Sequence, residues 1–296
     1  MNYYYNGPKA KQYADVVKHP LFGPFIRYMV DYREQRLILR QINTEFSGKN
    51  FEKFLDKLIA LDLVVRENRQ YSLGFPIFND QIDDEKKAEI AAVVAALTEV
   101  VLAESEENRS AILGEIVWPE LLSEQEYFYG VVGEANFYTK SIVGNQSIQL
   151  VSLALEDQRP VTLPDYFALI HQQTELPTVF VPLNQLLGDV NEEYFINQVE
   201  MLLEKLEKGR LRTRRRNIFL ESLVETGVVN QKEELQLNWP AWGNSQLNQS
   251  SLVDTIKQIS KRIPGETPAE SSFFSKMIFK ELLKVLGASA PHYLIK

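Results

Sequence analysis

The sequence predicts an α+β fold, mainly helical, laid out in three parts, and three observations predict it. Apolar residues recur at helical spacing through most of the chain. Two pairs of short runs flank turn residues and predict hairpins. The charge changes sign twice: residues 1–79 carry 12 Lys/Arg against 8 Asp/Glu, residues 80–209 carry 7 against 24, and residues 210–296 carry 13 against 8. A chain of 296 residues also exceeds the usual span of one hydrophobic core. The charge breaks therefore divide it into an N-terminal module (1–79), an acidic α+β domain (80–209) and a mainly helical C-terminal region (210–296).

In the first part, Phe22, Phe25, Ile26, Met29 and Val30 form one helical stripe between Leu21 and Tyr32. Leu39, Ile42 and Phe46 form a second, ended by Ser47-Gly48, where glycine tolerates a left-handed backbone. Phe51, Phe54, Leu55, Leu58 and Ile59 form a third, with Asn50 placed to cap its start. Leu63–Glu67 and Gln70–Phe75 then pair across Asn68-Arg69, a weaker hairpin turn than Asn-Gly.

Three short helices, a tight turn between the second and third, and a closing hairpin resemble the winged helix-turn-helix superfamily over about His19 to Phe78. The resemblance rests on element order and periodicity and carries no signature motif. The whole chain resembles an uncharacterised protein family of Gram-positive bacteria, from which no activity carries over. The superfamily resemblance implies duplex DNA as a partner: the third helix enters the major groove and the hairpin meets the backbone or minor groove. The residues for this are Lys49, Asn50, Lys53 and Lys57 on the third helix and Arg66 and Arg69 on the hairpin. Glu52 and Asp56 work against it, because each repels phosphate and can pair with a lysine of the same helix. An ordinary solvated helix face is the competing reading. A transcriptional regulator is the function expected if DNA is bound.

The centre opens on a polar joint, Asp80, Asp83, Asp84 and Glu85, and continues as a long helix from Glu85 to Ser105. Runs at Phe137–Val143 and Ser147–Leu155 flank Gly144-Asn145 and predict a hairpin. Thr162–Gln173 reads as a helix, Thr178–Leu183 as a buried strand and Asn191–Lys208 as a helix.

The last part opens on an arginine cluster, Arg210, Arg212, Arg214, Arg215 and Arg216. Guanidinium forks suit phosphate, but Glu200, Glu204 and Glu207 precede them, and an acidic protein partner or the chain's own carboxylates are the stronger expectation. A protein-interaction or scaffold molecule is thus the alternative function, with the hairpin module serving only to pack. A helix through Ile218 and Leu223 follows, then a loop around Trp239-Pro240 and Trp242, and helices over Ser251–Arg262 and Ser271–Leu286. Their apolar faces make a homodimer conceivable.

Composition excludes several classes. Hydrophobic residues at 45% and charged residues at 24% exclude a disordered chain. The longest apolar run, Ile90–Ala103, is interrupted by Thr98 and Glu99 and is shorter than the roughly 20 residues a membrane span needs, so no membrane partner is expected. The start, MNYYYNGPKAKQY, lacks a secretory core, which makes a cytoplasmic location the expectation. With no cysteine, disulfides, thiolate nucleophiles and cysteine metal sites are excluded.

No phosphate-binding loop, dinucleotide fingerprint, nucleophile elbow or zinc-protease motif occurs. Of His19, His171 and His292, His171 with Glu175 is the best half of a metal site, a pattern common by chance. The pairs Asp83/Asp84, Glu106/Glu107 and Glu192/Glu193 put neighbours on different helix faces and read as solvated surface. No catalytic residue, metal or cofactor is expected.

Overall fold

The computed structural model describes residues 1–35, 37–79, 81–122, 125–133, 136–173, 175–211, 215–231, 234–243 and 250–296. The fold is α+β and largely helical. Chain contacts divide it into two compact units, each assembled from separated stretches. One comprises Met1–Lys87, Ser123–Ala135 and Pro264–Phe273; the other comprises Ala88–Leu122, Asn136–Ile263 and Phe274–Lys296. These boundaries do not coincide with the charge breaks at 79/80 and 209/210.

The first unit contains β1 (Asn2–Asn6), α1 (Ala10–Val17), α2 (Phe22–Asp31), β2 (Leu37–Ile38), α3 (Leu39–Glu45), α4 (Lys49–Ala60), β3 (Val64–Glu67), β4 (Gln70–Leu73), β5 (Ile77–Asn79) and β6 (Tyr127–Val132). Two three-stranded sheets form, in the orders β2-β4-β3 and β1-β6-β5. The first is antiparallel throughout. In the second, β6 runs antiparallel to β1 and parallel to β5. The apolar stripes of α2 and α4 meet in one core with Leu37, Ile42, Val64 and Tyr71. Phe128 of β6 belongs to the same core, with its ring 5.7 Å from Tyr5, 5.1 Å from Tyr13 and 4.6 Å from Phe75. These edge-on and stacked aromatic contacts add to plain area burial.

The second unit takes most of α5 (Asp84–Leu102), then α6 (Glu106–Ile112), a π-helical turn at Leu113–Val117 and α7 (Trp118–Leu121). At the start of α5, the Asp83 carboxylate accepts a hydrogen bond from the Lys86 amide at 2.7 Å, so the expected polar joint acts as a helix cap. The hairpin of β7 (Tyr138–Gly144) and β8 (Gln149–Leu155) forms where expected. A side chain at Gly144 would place its Cβ 2.2 Å from the Ile148 carbonyl oxygen, so only glycine fits this turn. After it come α8 (Leu163–His171), α9 (Val181–Leu187), α10 (Glu192–Glu207), α11 (Ile218–Glu225), β9 (Val229–Asn230), β10 (Gln236–Leu237), β11 (Ala241–Trp242), α12 (Ser250–Ser260), the part of α13 (Pro268–Val285) from Phe274 onward and β12 (His292–Ile295). A four-stranded sheet has the order β11-β12-β8-β7. Its core packs α8, α9, α10 and α11 residues such as Phe167, Leu183, Phe195 and Leu223 against Leu150 and Leu294.

The strand expected at Thr178–Leu183 is a 3-10 turn at Thr178–Phe180 running into α9. The β-branched run suggested a strand, but Pro182 sits in the first turn of α9, where its fixed φ suits a helix and its missing N–H costs nothing. Val179 and Val181 are exposed, while Phe180 and Leu183 are buried, which is helical and not sheet spacing.

Candidate nucleic-acid interface

Helix α4 and the β3–β4 hairpin carry the six residues expected to contact DNA. Phe51, Phe54, Leu55 and Leu58 fix one face of α4 in the core. Lys49, Asn50, Glu52, Lys53, Asp56 and Lys57 are all exposed. At about 100° per residue, Lys53, Lys57 and Asn50 fall together on one side of the outward arc, with Lys49 on its midline. Glu52 and Asp56 fall together on the other. The outer surface of α4 is therefore split lengthwise into a basic and an acidic half.

Two local expectations change. Gly48, with φ 113°, is the N-cap of α4, and Asn50 lies inside the first turn with its side chain free of capping duty. The ion pairs expected from Glu52 and Asp56 to the lysines are not formed among the described residues, so the lysine ammonium groups are not neutralised within their own helix.

The hairpin is tight. Asn68 and Arg69 have φ of 51° and 64°, both left-handed, as a two-residue type I′ turn requires. Glu67 pairs with Gln70 and Arg66 with Tyr71. Arg69 stands exposed at the tip, and Arg66 extends over the ring of its cross-strand partner at 5.6 Å from the centroid.

Within the arginine cluster, Arg210, Arg215 and Arg216 are exposed, and Arg212 and Arg214 lie outside the described residues. Arg216 Nε donates to both carboxylate oxygens of Glu221, at 3.0 and 3.1 Å, and this bond holds its pKa above the usual arginine range. The α10 glutamates take other partners: Glu200 accepts from Asn145 at 2.8 Å, Glu204 pairs with Lys208 and Glu207 with Lys296. The expected shielding of the cluster by these glutamates is absent among the described residues.

His171 Nε2 lies 2.7 Å from Glu192 Oε2, so its carboxylate neighbour is Glu192 and not Glu175. His19 stacks on Phe54 with ring centroids 4.4 Å apart, and its Nδ1 accepts from the Leu21 amide at 3.2 Å. His292 Nδ1 lies 3.0 Å from the Ala290 carbonyl oxygen; burial pushes its pKa down.

The family model described as "Domain of unknown function (DUF1803)" matches residues 2–113. That stretch is a little over a third of the chain and contains all of α4 and the hairpin. No curated protein and no solved structure matches the chain.

Sequence reasoning passed over two polar clusters in the second unit. Asp165, in the first turn of α8, is fully buried and accepts hydrogen bonds from Ser141 at 3.0 Å, Ser152 at 2.7 Å and Thr162 at 2.7 Å. Arg159 approaches the same carboxylate at 3.7 Å. The spacing Thr162-x-x-Asp165 is a capping pattern visible in the sequence: the Asp165 amide donates back to Thr162 Oγ1 at 3.2 Å. With hydroxyl donors on both carboxylate oxygens, the cluster joins α8 to the β7–β8 hairpin. In the second cluster, Glu115 of the π-helical turn accepts from Lys140 Nζ at 2.8 Å and from the Tyr293 hydroxyl. Lys140 also donates to the Gly114 carbonyl at 2.8 Å. No sequence signal links these residues, which come from three distant segments. Among the described residues, no group of three or more His, Asp or Glu could hold a metal ion, and no helix is long and apolar enough to cross a membrane.

Proposed function

We propose that this protein binds duplex DNA through a winged-helix module spanning α2 to β4, and that it acts as a cytoplasmic transcriptional regulator. The order helix, short strand, helix, helix, hairpin, with the short strand β2 pairing beside β4, supports the winged-helix reading. The observation that carries the DNA reading is the exposed basic half of α4, with Lys49, Lys53 and Lys57 in one row and no carboxylate pairing them within the described residues. Asn50 lies on the same side and supplies an amide suited to a base edge. Arg69 at the hairpin tip supplies a further cation for the backbone, and the two-residue turn limits its reach.

Fluorescence anisotropy with a mixed-sequence duplex tests this. Affinity should fall with salt at a log–log slope of about −3 to −4, as expected for the four cations named. Replacing Lys53, Lys57 and Arg69 together with alanine should make the slope shallower by about 3 while the circular dichroism spectrum is retained. Affinity and slope unchanged by the triple replacement would overturn the reading.

A second reading is favoured by Arg210 and Arg215, which are exposed without an ion pair among the described residues. Here the cluster meets an acidic protein and the module only packs. Capture from cell extract, with and without nuclease, separates the two. A partner that survives nuclease and is lost when Arg214, Arg215 and Arg216 are replaced by alanine supports the second.

A further inference from the structure

Beside the hairpin, in the same unit, the end of α2, Tyr32, Arg33, Gln35 and the strand β4 line an open cleft of about 270 Å³. Met29, Leu37, Tyr71 and Phe75, each nearly buried, give it an apolar side, and Tyr32, Arg33, Gln35 and Ser72 give it a polar one. Such a space holds roughly nine waters by volume. Water against the apolar side lacks hydrogen-bond partners there, so displacing it by an apolar group is favourable. Arg33 is the one ionised side chain lining the cleft among the described residues, with Tyr32, Gln35 and Ser72 as its neutral polar neighbours.

Arg33 is held loosely by the protein itself. Its Nε is 3.5 Å from the carboxylate of adjacent Glu34, longer than a good charge-assisted hydrogen bond, and both side chains are largely exposed. No other ion pair engages it among the described residues. A second, shallower groove of about 500 Å³ shares Val30, Arg33 and Ile77 and has Asp31 and Glu34 on its wall. The two acidic residues line that groove and not the cleft.

We propose that the cleft is a binding site for a small amphipathic monocarboxylate, with the carboxylate on the Arg33 guanidinium and the apolar body against Tyr71 and Phe75. The helix end works weakly against an anion, because the last carbonyls of α2 point this way. Two of them are already occupied, Tyr28 by the Tyr32 amide at 3.1 Å and Val30 by the Arg33 amide at 3.2 Å. A planar guanidinium matching a carboxylate outweighs the remaining partial charge. A cationic ligand meets the opposite situation, since it would bring like charge against Arg33. The inference stands on the cleft alone and is independent of DNA binding. If both hold, the ligand shares the Tyr71 ring with Arg66 of the hairpin.

The full chain labelled with ¹³C-methyl methionine tests this by titration with phenylacetate, 2-phenylethanol and phenethylamine. The chain has four methionines, and Met29→Leu assigns the reporting signal. Phenylacetate should shift the Met29 methyl saturably and bind about tenfold more tightly than 2-phenylethanol, with phenethylamine weakest. Arg33→Gln should abolish the preference for phenylacetate while 2-phenylethanol still shifts the same methyl, which shows that the cleft is intact. An unmoved Met29 signal with all three compounds would overturn the proposal, as would a preference for phenylacetate that survives Arg33→Gln.

Discussion

Arg66 and Tyr71 face each other across the β3–β4 hairpin, and the guanidinium carbon lies 5.6 Å from the centre of the Tyr71 ring. The contact fixes a long, otherwise free side chain on the hairpin and covers a ring that the core alone would leave partly open. Arg66→Ala should lower stability by about 0.5–1 kcal/mol, the usual worth of such a pair near the surface. A double-mutant cycle with Tyr71→Leu, read by urea denaturation, checks it: the two losses should fail to add by a similar amount.

The turn next to this pair is strained by its own residue. Arg69 holds φ at 64°, a region in which a side chain costs about 1 kcal/mol. Arg69→Gly should raise the urea midpoint slightly, with a gain of at most about 0.5 kcal/mol after the greater freedom of glycine in the unfolded chain is subtracted. The same variant should bind duplex DNA more weakly, so stability and affinity are expected to move in opposite directions.

Asp165 holds three hydroxyl groups and faces a nearly buried guanidinium. Asp165→Ala would leave Arg159 charged and without its partner, at a cost of about 3–5 kcal/mol. Replacing Asp165 and Arg159 together with apolar residues should recover part of that loss. Thermal melts of the two single variants and the double variant are the measurement.

Lys276 lies over the Phe137 ring at 5.8 Å, and burial lowers its pKa to about 8, against a smaller opposing pull from Glu156. Between pH 8 and the ordinary lysine value, the unfolded chain binds the proton more than the folded one, so stability contributed by this group rises with pH across that window. Below pH 8 the folded protein carries the buried charge at a constant penalty. Lys276→Met should therefore stabilise the protein at pH 7 by about 1–3 kcal/mol. The advantage should shrink steadily as the pH is raised towards 10.5, which urea titrations at several pH values would follow.

Elements whose partners are close in sequence were legible. The stripes of α2, α3 and α4, the Asn68-Arg69 hairpin and the Gly144-Asn145 turn all formed where periodicity placed them. Long-range strands were not. Tyr3 to Tyr5 give no clear alternation, and β1 exists because β6 lies beside it, with Tyr4 opposite Tyr129. β12 is four residues long and almost wholly buried between β8 and β11, so it lacks the half-polar pattern that marks a strand. For the candidate interface, the sequence located the lysine row but could not exclude pairing with Glu52 and Asp56. That depends on rotamers, which spacing does not determine. Beyond the Thr162-x-x-Asp165 capping spacing, the cluster around Asp165 was invisible for a related reason: a buried acid and a solvated one have the same letter.

Phe128 reaches the first unit from far along the chain, and this sets an order of events during synthesis. Until the ribosome has delivered it, Tyr5, Tyr13 and Phe75 share a socket with no plug. The nascent N-terminal segment must therefore wait, with aromatic surface bare, while the long helix behind it is made. A fragment cut at the first change of charge would inherit the same open socket permanently, and self-association is its natural fate.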